Sequence, residues 1–266
     1  MTAALHLVLL AWLLAAGVMT LLWLLHLPMR NAAIVDFGWG FLLPTIAILY
    51  AFTGSGYAAR RWLIAAMAAV WGYRLAFYLL FTRIIGHPEE GRYVELRQSW
   101  KTNLPLKFFF FFQAQALLDV MLSLPFLLAA LDPRPALGWT DYAGAAIWAV
   151  AFVGETAADA QLTAFKSNPA NKGKTCRAGL WMYSRHPNYF FEWLIWVAYA
   201  VYAIAAQWGW LALACPALML FFLFRVTGIP ATEAQARRSR GEEYRRYQET
   251  TSAFFPWFPK KLGCPN

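Results

Sequence analysis

Long apolar runs, nearly free of charge, constrain this chain more than any motif in it. The first, from Ala3 to Leu25, contains no Asp, Glu, Lys or Arg. A helical membrane crossing needs about 20 predominantly apolar residues, and runs of that order recur along the chain. The candidate spans are residues 3–25, 33–53, 61–82, 107–130, 139–160, 188–206 and 208–227. Of the 266 residues 60% are hydrophobic and 14% charged, whereas a soluble domain carries about 25% charged. The expected fold is all-α: a polytopic membrane protein with seven transmembrane helices in one bundle. The first run lacks a basic leader and exceeds a signal-peptide core, so it reads as a span. Almost nothing separates the last two runs around Gln207 and Gly209, which predicts a tight antiparallel hairpin.

Basic residues set the expected orientation. One alternating set of connections holds Arg30, then Arg83, Arg92, Arg97, Lys101 and Lys107, then Lys166 to Arg185, then the tail from Arg237 to Lys261. The other set holds only Arg60, Arg61 and Arg134. This places the N-terminus outside and the C-terminus in the cytoplasm, in a multi-pass membrane protein. The Ala-rich composition points to a bacterial inner membrane. No internal repeat or linker interrupts the chain, so residues 1–266 are expected to form a single domain, with a tail from about 228 covering a cavity. The net charge of +9 sits in loops and tail, where topology and phosphate-bearing ligands explain it without nucleic acid. Cys176, Cys215 and Cys264 are far apart, and the four histidines are scattered. No metal site is expected.

Polar residues recur inside the spans. They are Asp36 on the second, Arg74 and Tyr78 on the third, and Gln113, Gln115 and Asp119 on the fourth. Glu155 and Asp159 lie on the fifth, Asn188 and Glu192 on the sixth, and Arg225 on the seventh. The pairs four apart share a helix face. Membrane-embedded ionisable residues are costly and mark function by default. All are expected at one depth near the cytoplasmic side, which predicts a cofactor cavity open to the cytoplasm. The densest cluster is Arg177 to Glu192, R-A-G-L-W-M-Y-S-R-H-P-N-Y-F-F-E, at the mouth of the sixth span, where Pro187 suits a first helical turn. The tail mixes Arg, Glu and Tyr from Arg237 to Tyr247, then runs S-A-F-F-P-W-F-P, a pattern suited to docking back on the membrane face or on a ligand.

No H-E-x-x-H, G-K-[ST] or G-x-S-x-G motif is present. What remains is a site for a polyanionic cofactor beside a lipid-facing slot. Arginines suit phosphate, the start of the sixth span offers free backbone N–H groups, and carboxylates with Asn suit ribose hydroxyls and a carboxamide. That division fits a nucleotide cofactor whose own chemistry is hydride transfer.

The chain resembles the membrane steroid 5α-reductase family, in its bacterial branch of proteins of unknown function 1295. The resemblance rests on V-D-F-G-W-G at 35–40, W-x-x-R-L-x-x-Y at 71–78, G-E-x-x-A-D-x-Q-L at 154–162, N-K-G-K at 171–174, G-L-W-x-Y-S-R-H-P-N-Y-F-x-E at 179–192 and G-I-P at 228–230. It implies seven spans, NADPH in a cytoplasmic cavity and reduction of the Δ4 double bond of a 3-oxo-Δ4 steroid or similar enone lipid. It assigns the ketone to Asp36 and Tyr78, as catalytic residues, with Trp39, Arg74 and Gln113 on the substrate side. The matching NADPH ligands are Glu155, Asp159, Asn188, Tyr189 and Glu192, with Arg225, Arg237, Tyr244 and Tyr247 as looser matches. Lys166, Arg177, Tyr183, Arg185 and His186 complete the expected cofactor set. The animal enzymes carry Gln-Glu where this chain has Val35-Asp36. The alternative is an S-adenosylmethionine-dependent membrane methyltransferase, whose lipid and isoprenylcysteine types share R-H-P-x-Y; the G-E-x-x-A-D segment and the acid on the second span favour the reductase. The expected partners are the lipophilic enone and membrane lipids, with the protein a monomer.

Overall fold

The computed structural model describes residues 2–89, 91–226 and 228–260. Cys264 and Lys261 of the sequence analysis lie outside them. The described residues form helices, with one isolated parallel bridge between Ser184 and Ser252 and no β-strand. Among the described residues, five helical runs are long and apolar enough to cross a membrane: residues 3–29, 34–53, 58–84, 104–131 and 209–240. The chain divides into two compact units, Met1–Tyr142 with Val201–Ala212, and Ala143–Ala200 with Leu213–Asn266.

In the first unit α1 is Thr2–Met29, α2 Ile34–Thr53 and α3 Ala58–Leu79, which runs on as a π-helical turn over Leu80–Ile84. Then come α4 Gly91–Trp100, α5 Leu104–Leu122, α6 Leu124–Leu131 and the start of α7, Trp139–Ser167. Helices α2 and α3 form a close pair, while α1 packs on α5. Small residues let the backbones of the pair approach: a Cβ on Gly72 would lie 2.7 Å from Pro44 Cδ and 2.9 Å from the Gly40 carbonyl. Trp71, Tyr50, Phe108, Phe112 and Phe126 fill the core, and Leu5, Trp12, Leu13 and Leu21 line the exposed side of α1. The expected fourth span is two helices. The chain breaks at Ser123, and Pro125 sits in the first turn of α6, where a missing N–H is tolerated.

A charge cluster lies at the start of α3, where the sequence suggested only the loop arginines Arg60, Arg61 and Arg134. Arg60 is fully buried. Its Nε donates to Asp141 Oδ1 at 2.9 Å, its Nη2 to Asp141 Oδ2 at 3.1 Å, and its Nη1 to the Arg134 carbonyl at 2.8 Å. Arg134 Nε donates to Asp132 Oδ2 at 2.9 Å. The Arg60 carbonyl accepts from the Tyr202 hydroxyl at 3.0 Å.

In the second unit the body of α7 is followed by 3₁₀ turns at Pro169–Asn171 and Gly179–Met182, then α8 Pro187–Ala203. The second unit resumes at Leu213, the end of a 3₁₀ turn over Gly209–Leu213, with α9 Ala214–Phe221, which ends as a second π-helical turn, Phe222–Val226. Helices α8 and α9 are neighbours, as the expected hairpin requires: Trp193 Nε1 donates to the Pro216 carbonyl at 3.1 Å. The tail is two helices, α10 Ile229–Arg240 and α11 Glu242–Thr250, separated by Gly241 at φ 54°. Only glycine adopts that left-handed conformation without steric cost.

Candidate functional site

The residues expected to bind cofactor fall in the second unit. Glu155 and Asp159 lie one turn apart on α7 and are both buried. Gly154 precedes them because the ring of Phe191 on α8 packs where a Cβ would stand. That contact brings α8 close enough for Asn188 Nδ2 to donate to Asp159 Oδ1 at 3.3 Å. Glu192 follows Asn188 by one turn. The G-E-x-x-A-D and R-H-P-N-Y segments thus meet in space, which their spacing in sequence alone does not show. Other ties hold them. Trp181 Nε1 donates to the Ala158 carbonyl at 3.0 Å, and the Leu180 N–H to Gln161 Oε1 at 2.9 Å.

Arg185 and His186 are placed differently from a simple phosphate clamp. Arg185 Nε donates to Glu233 Oε1 at 2.7 Å, and its Nη1 to the carbonyls of Gln248 at 2.9 Å and Thr251 at 2.5 Å. His186 Nε2 lies 3.3 Å from the same Glu233 oxygen, and Gln248 Nε2 donates to Glu233 Oε2 at 2.7 Å. His186 also stacks on Tyr189, whose hydroxyl lies 3.4 Å from Thr232 Oγ1. These side chains fasten the tail to the start of α8. The Ser184 hydroxyl adds a bond to the Phe254 carbonyl at 2.8 Å, and the Tyr247 hydroxyl bonds the carbonyls of Trp181 and Ser184. Tyr183 joins through its carbonyl, which accepts from the Trp257 N–H at 2.9 Å. Phe254 packs on Phe190 and Trp193, while Trp257 and Phe258 remain exposed. The tail therefore docks on its own unit, through Glu233, Phe254 and the Trp257 N–H, and keeps further aromatic surface outward.

Tyr244 and Tyr247 are buried on the inner face of α11. Burial pushes the Tyr244 hydroxyl up to about 12 and raises that of Tyr247 as well, so both are neutral hydrogen-bonding groups at physiological pH. Arg177 lies over the Tyr247 ring at 5.3 Å and also donates to the Glu243 carbonyl. Lys166 ends α7, Arg225 lies in the π turn and Arg237 on α10; all three are exposed. Among the described residues, the buried hydroxyls of Thr156 and Thr175 have no hydrogen-bond partner. A unit with buried carboxylates, an amide, two orphaned hydroxyls and exposed cations has the donor set a nucleotide takes. The carboxylates suit hydroxyls and amides, and the cations suit phosphate.

The residues expected to hold substrate lie in the first unit. Asp36 is in the first turn of α2, and Arg74 and Tyr78 are in the last two turns of α3, at the same end of that pair. The carboxylate of Asp36 accepts from Arg92 Nη2 and, at 2.8 Å, from the Tyr93 hydroxyl. The polar α4, which the apolar pattern does not reveal, supplies both donors. Arg92 is an ion-pair partner of Asp36. Trp39 stands edge-to-face on Trp71, with centroids 6.1 Å apart. Gln113 Nε2 donates to Thr20 Oγ1 at 3.1 Å, tying α5 to α1. Asp119 is fully buried, and among the described residues neither carboxylate oxygen has a hydrogen-bond partner. Both π-helical turns fall beside expected site residues, one just after Tyr78 and one around Arg225. Such turns are frequent at functional sites.

Sequence reasoning missed Glu233 and the Asp132–Asp141 pair. Each had a signal. Glu233 is the single acid in I-P-A-T-E-A-Q-A-R-R-S-R, and Asp132 and Asp141 flank Arg134 in an otherwise apolar stretch.

A family model described as protein of unknown function (DUF1295) matches residues 22–251. The uncharacterised protein C594.04c of the fission yeast Schizosaccharomyces pombe is 27% identical to this chain, over 88% of this chain and 75% of its own length. No solved structure matches.

Proposed function

The chain belongs to the DUF1295 family, and from that premise we propose that it is an NADPH-dependent reductase of a lipophilic enone, of the steroid 5α-reductase type. The observation that carries the reading is the junction of buried Asp159 with Asn188, beside buried Glu155. Carboxylates and an amide side by side can hydrogen-bond a nucleotide's hydroxyls and carboxamide. When bound, NADPH supplies a hydride to the β-carbon of the enone. The second unit binds it: Glu155, Asp159, Asn188 and Glu192 take the polar nucleoside groups, and Arg177, Lys166, Arg225 and Arg237 the phosphates. Arg185 and His186 hold the tail in place, so their contribution to the cofactor is positional.

In the first unit Tyr78 donates a hydrogen bond to the ketone oxygen and stabilises the enolate that forms as the β-carbon is reduced. Asp36 orients that end of the α2–α3 pair through Arg92 and Tyr93. The α-carbon then takes a proton from water. A 3-oxo-Δ4 steroid is the proposed substrate, as the enone that the family resemblance indicates. We further propose that α7 and α8 also cross the membrane, giving seven spans with the N-terminus outside. Helix α7 has 29 residues and exposes Val150 and Val153, and α8 has 17, near the lower limit for a span.

The test is reduction of a 3-oxo-Δ4 steroid by purified protein, followed by loss of nicotinamide absorbance. Tyr78→Phe is expected to lower turnover about 10²–10³-fold, the cost of one donor to a developing oxyanion, with NADPH affinity retained. Loss of NADPH binding in that variant would contradict the role given to Tyr78.

A further inference from the structure

At one end of the first unit, the turn from α1 to α2 meets the segment that follows α3. Between them lies a cavity of about 410 Å³ whose lining includes Met29, Arg30, Asn31, Ile85, His87 and Glu89. That volume is in the range of ligand pockets. The two turns are stapled to each other. The Ala32 N–H donates to Glu89 Oε1 at 2.7 Å, and Asn31 Nδ2 to the His87 carbonyl at 3.5 Å. Asn31 Oδ1 accepts from the Ala33 N–H at 3.0 Å. Arg97 meets the charge of Glu89, with Nε to Oε2 at 2.7 Å and Nη2 to Oε1 at 3.0 Å. The one acid of the lining is therefore balanced, and Asn31 is spent on the turn.

The side chains of Arg30 and His87 take no part in these staples, and both are exposed. Arg30 has φ 51°, the left-handed conformation that a residue with a long side chain rarely adopts. Strain of this kind persists where the surroundings fix it, and it clusters at ligand sites. Here the residue that bears it, Arg30, lines the cavity. The opposite character lies alongside. Met29 and Ile85 are exposed apolar residues of the lining, and Leu24, Leu25 and Phe81 continue apolar surface on the same elements. Two membrane-length helical runs, 3–29 and 58–84, end here, so the cavity sits where a bilayer's headgroups begin.

We propose that this cavity binds the phosphate of an anionic membrane lipid, with Arg30 as its principal ligand and the acyl chains on the apolar side at Met29 and Ile85. A guanidinium pairs with phosphate oxygens in bidentate fashion, and a basic pocket at the headgroup level selects anionic lipids. The site is independent of the reductase reading.

The test is native mass spectrometry of the full chain released from detergent and titrated with dioleoylphosphatidylglycerol, dioleoylphosphatidylcholine or inorganic phosphate. Phosphatidylglycerol is expected to bind more tightly than phosphatidylcholine. Arg30→Gln should weaken it roughly five-fold, Arg30→Lys should recover part of the loss, and Lys101→Gln, outside the cavity, should change nothing. Arg30→Gly relieves the left-handed strain, so it should fold at least as stably and still lose binding. Retained binding in both Arg30→Gln and Arg30→Gly, or an equal loss in Lys101→Gln, would overturn the proposal. Displacement of the lipid by an equal concentration of inorganic phosphate would overturn the lipid as source and assign the cavity to a soluble phosphate.

Discussion

Asp132 lies in the connection between α6 and α7 and titrates under opposed influences. Burial raises its pKa. The hydrogen bonds from Arg134, with the charges of Arg60 and Arg134, outweigh burial and hold it below the usual carboxylate value. A folded pKa below the unfolded one contributes stability above the ordinary carboxylate range, and that stability is lost as pH falls through the depressed value. Asp132→Asn should therefore lower the unfolding temperature at pH 7, and the gap from wild type should close below about pH 4. A gap independent of pH would show that the charge of Asp132 is not what stabilises. Asp141 and Asp119 offer a second contrast, since both are fully buried acids. Asp141 holds Arg60 in two hydrogen bonds, so Asp141→Asn is expected to cost roughly 3–5 kcal/mol by leaving a buried guanidinium under-compensated. Asp119 has no hydrogen bond to lose, so Asp119→Asn is expected to stay within about 0.5 kcal/mol of wild type or exceed it. Thermal unfolding in one detergent reads both. At this scale the residue types were legible in the sequence and their partners were not. Asp36 was visible as an acid in a span, but Arg92 and Tyr93 lie far along the chain on a polar helix without an apolar stripe.

The apolar helices follow their sequence pattern closely because lipid-length runs admit few alternatives. α2 begins and ends within a residue of its expected limits, at Ile34 and Thr53. The departures occur where local chemistry overrides hydropathy. Pro125 splits the fourth span, and α7 continues to Ser167, well past its apolar part. The tail folds as α10 and α11 because Gly241 separates two amphipathic stretches that bury Ala236, Tyr244 and Tyr247. The tail clasp is an element-scale device, with one carboxylate, Glu233, taking donors from Arg185, His186 and Gln248. Cys176 of the same unit is buried, and burial pushes its thiol up against the opposite pull of the Ala178 backbone hydrogen bond and of Arg240 and Lys166. Only the thiolate is nucleophilic, so alkylation should be slow at pH 7.5. Glu233→Ala should free the tail and raise the rate of Cys176 labelling by N-ethylmaleimide roughly ten-fold in a Cys215→Ser/Cys264→Ser background, as local opening becomes easier. An unchanged rate would mean that Glu233 does not hold the tail.

At the scale of the whole molecule, composition alone indicated a helical membrane protein, and the five membrane-length helical runs agree. The meeting of Asn188 with Asp159 was foreshadowed by motif and by helix period, yet its geometry depends on Gly154 admitting Phe191, which no pattern of polar residues reveals. A nucleotide bound to the second unit is the premise of every catalytic role proposed for this chain. The direct measurement is the thermal shift of the purified, detergent-solubilised protein with NADPH, NADH and S-adenosylmethionine, repeated on Asp159→Asn and Glu192→Gln. A shift with NADPH that both variants diminish is the predicted result, since a ligand that binds only the folded state raises its stability by mass action. A shift with S-adenosylmethionine alone, or an NADPH shift untouched by either variant, would contradict it.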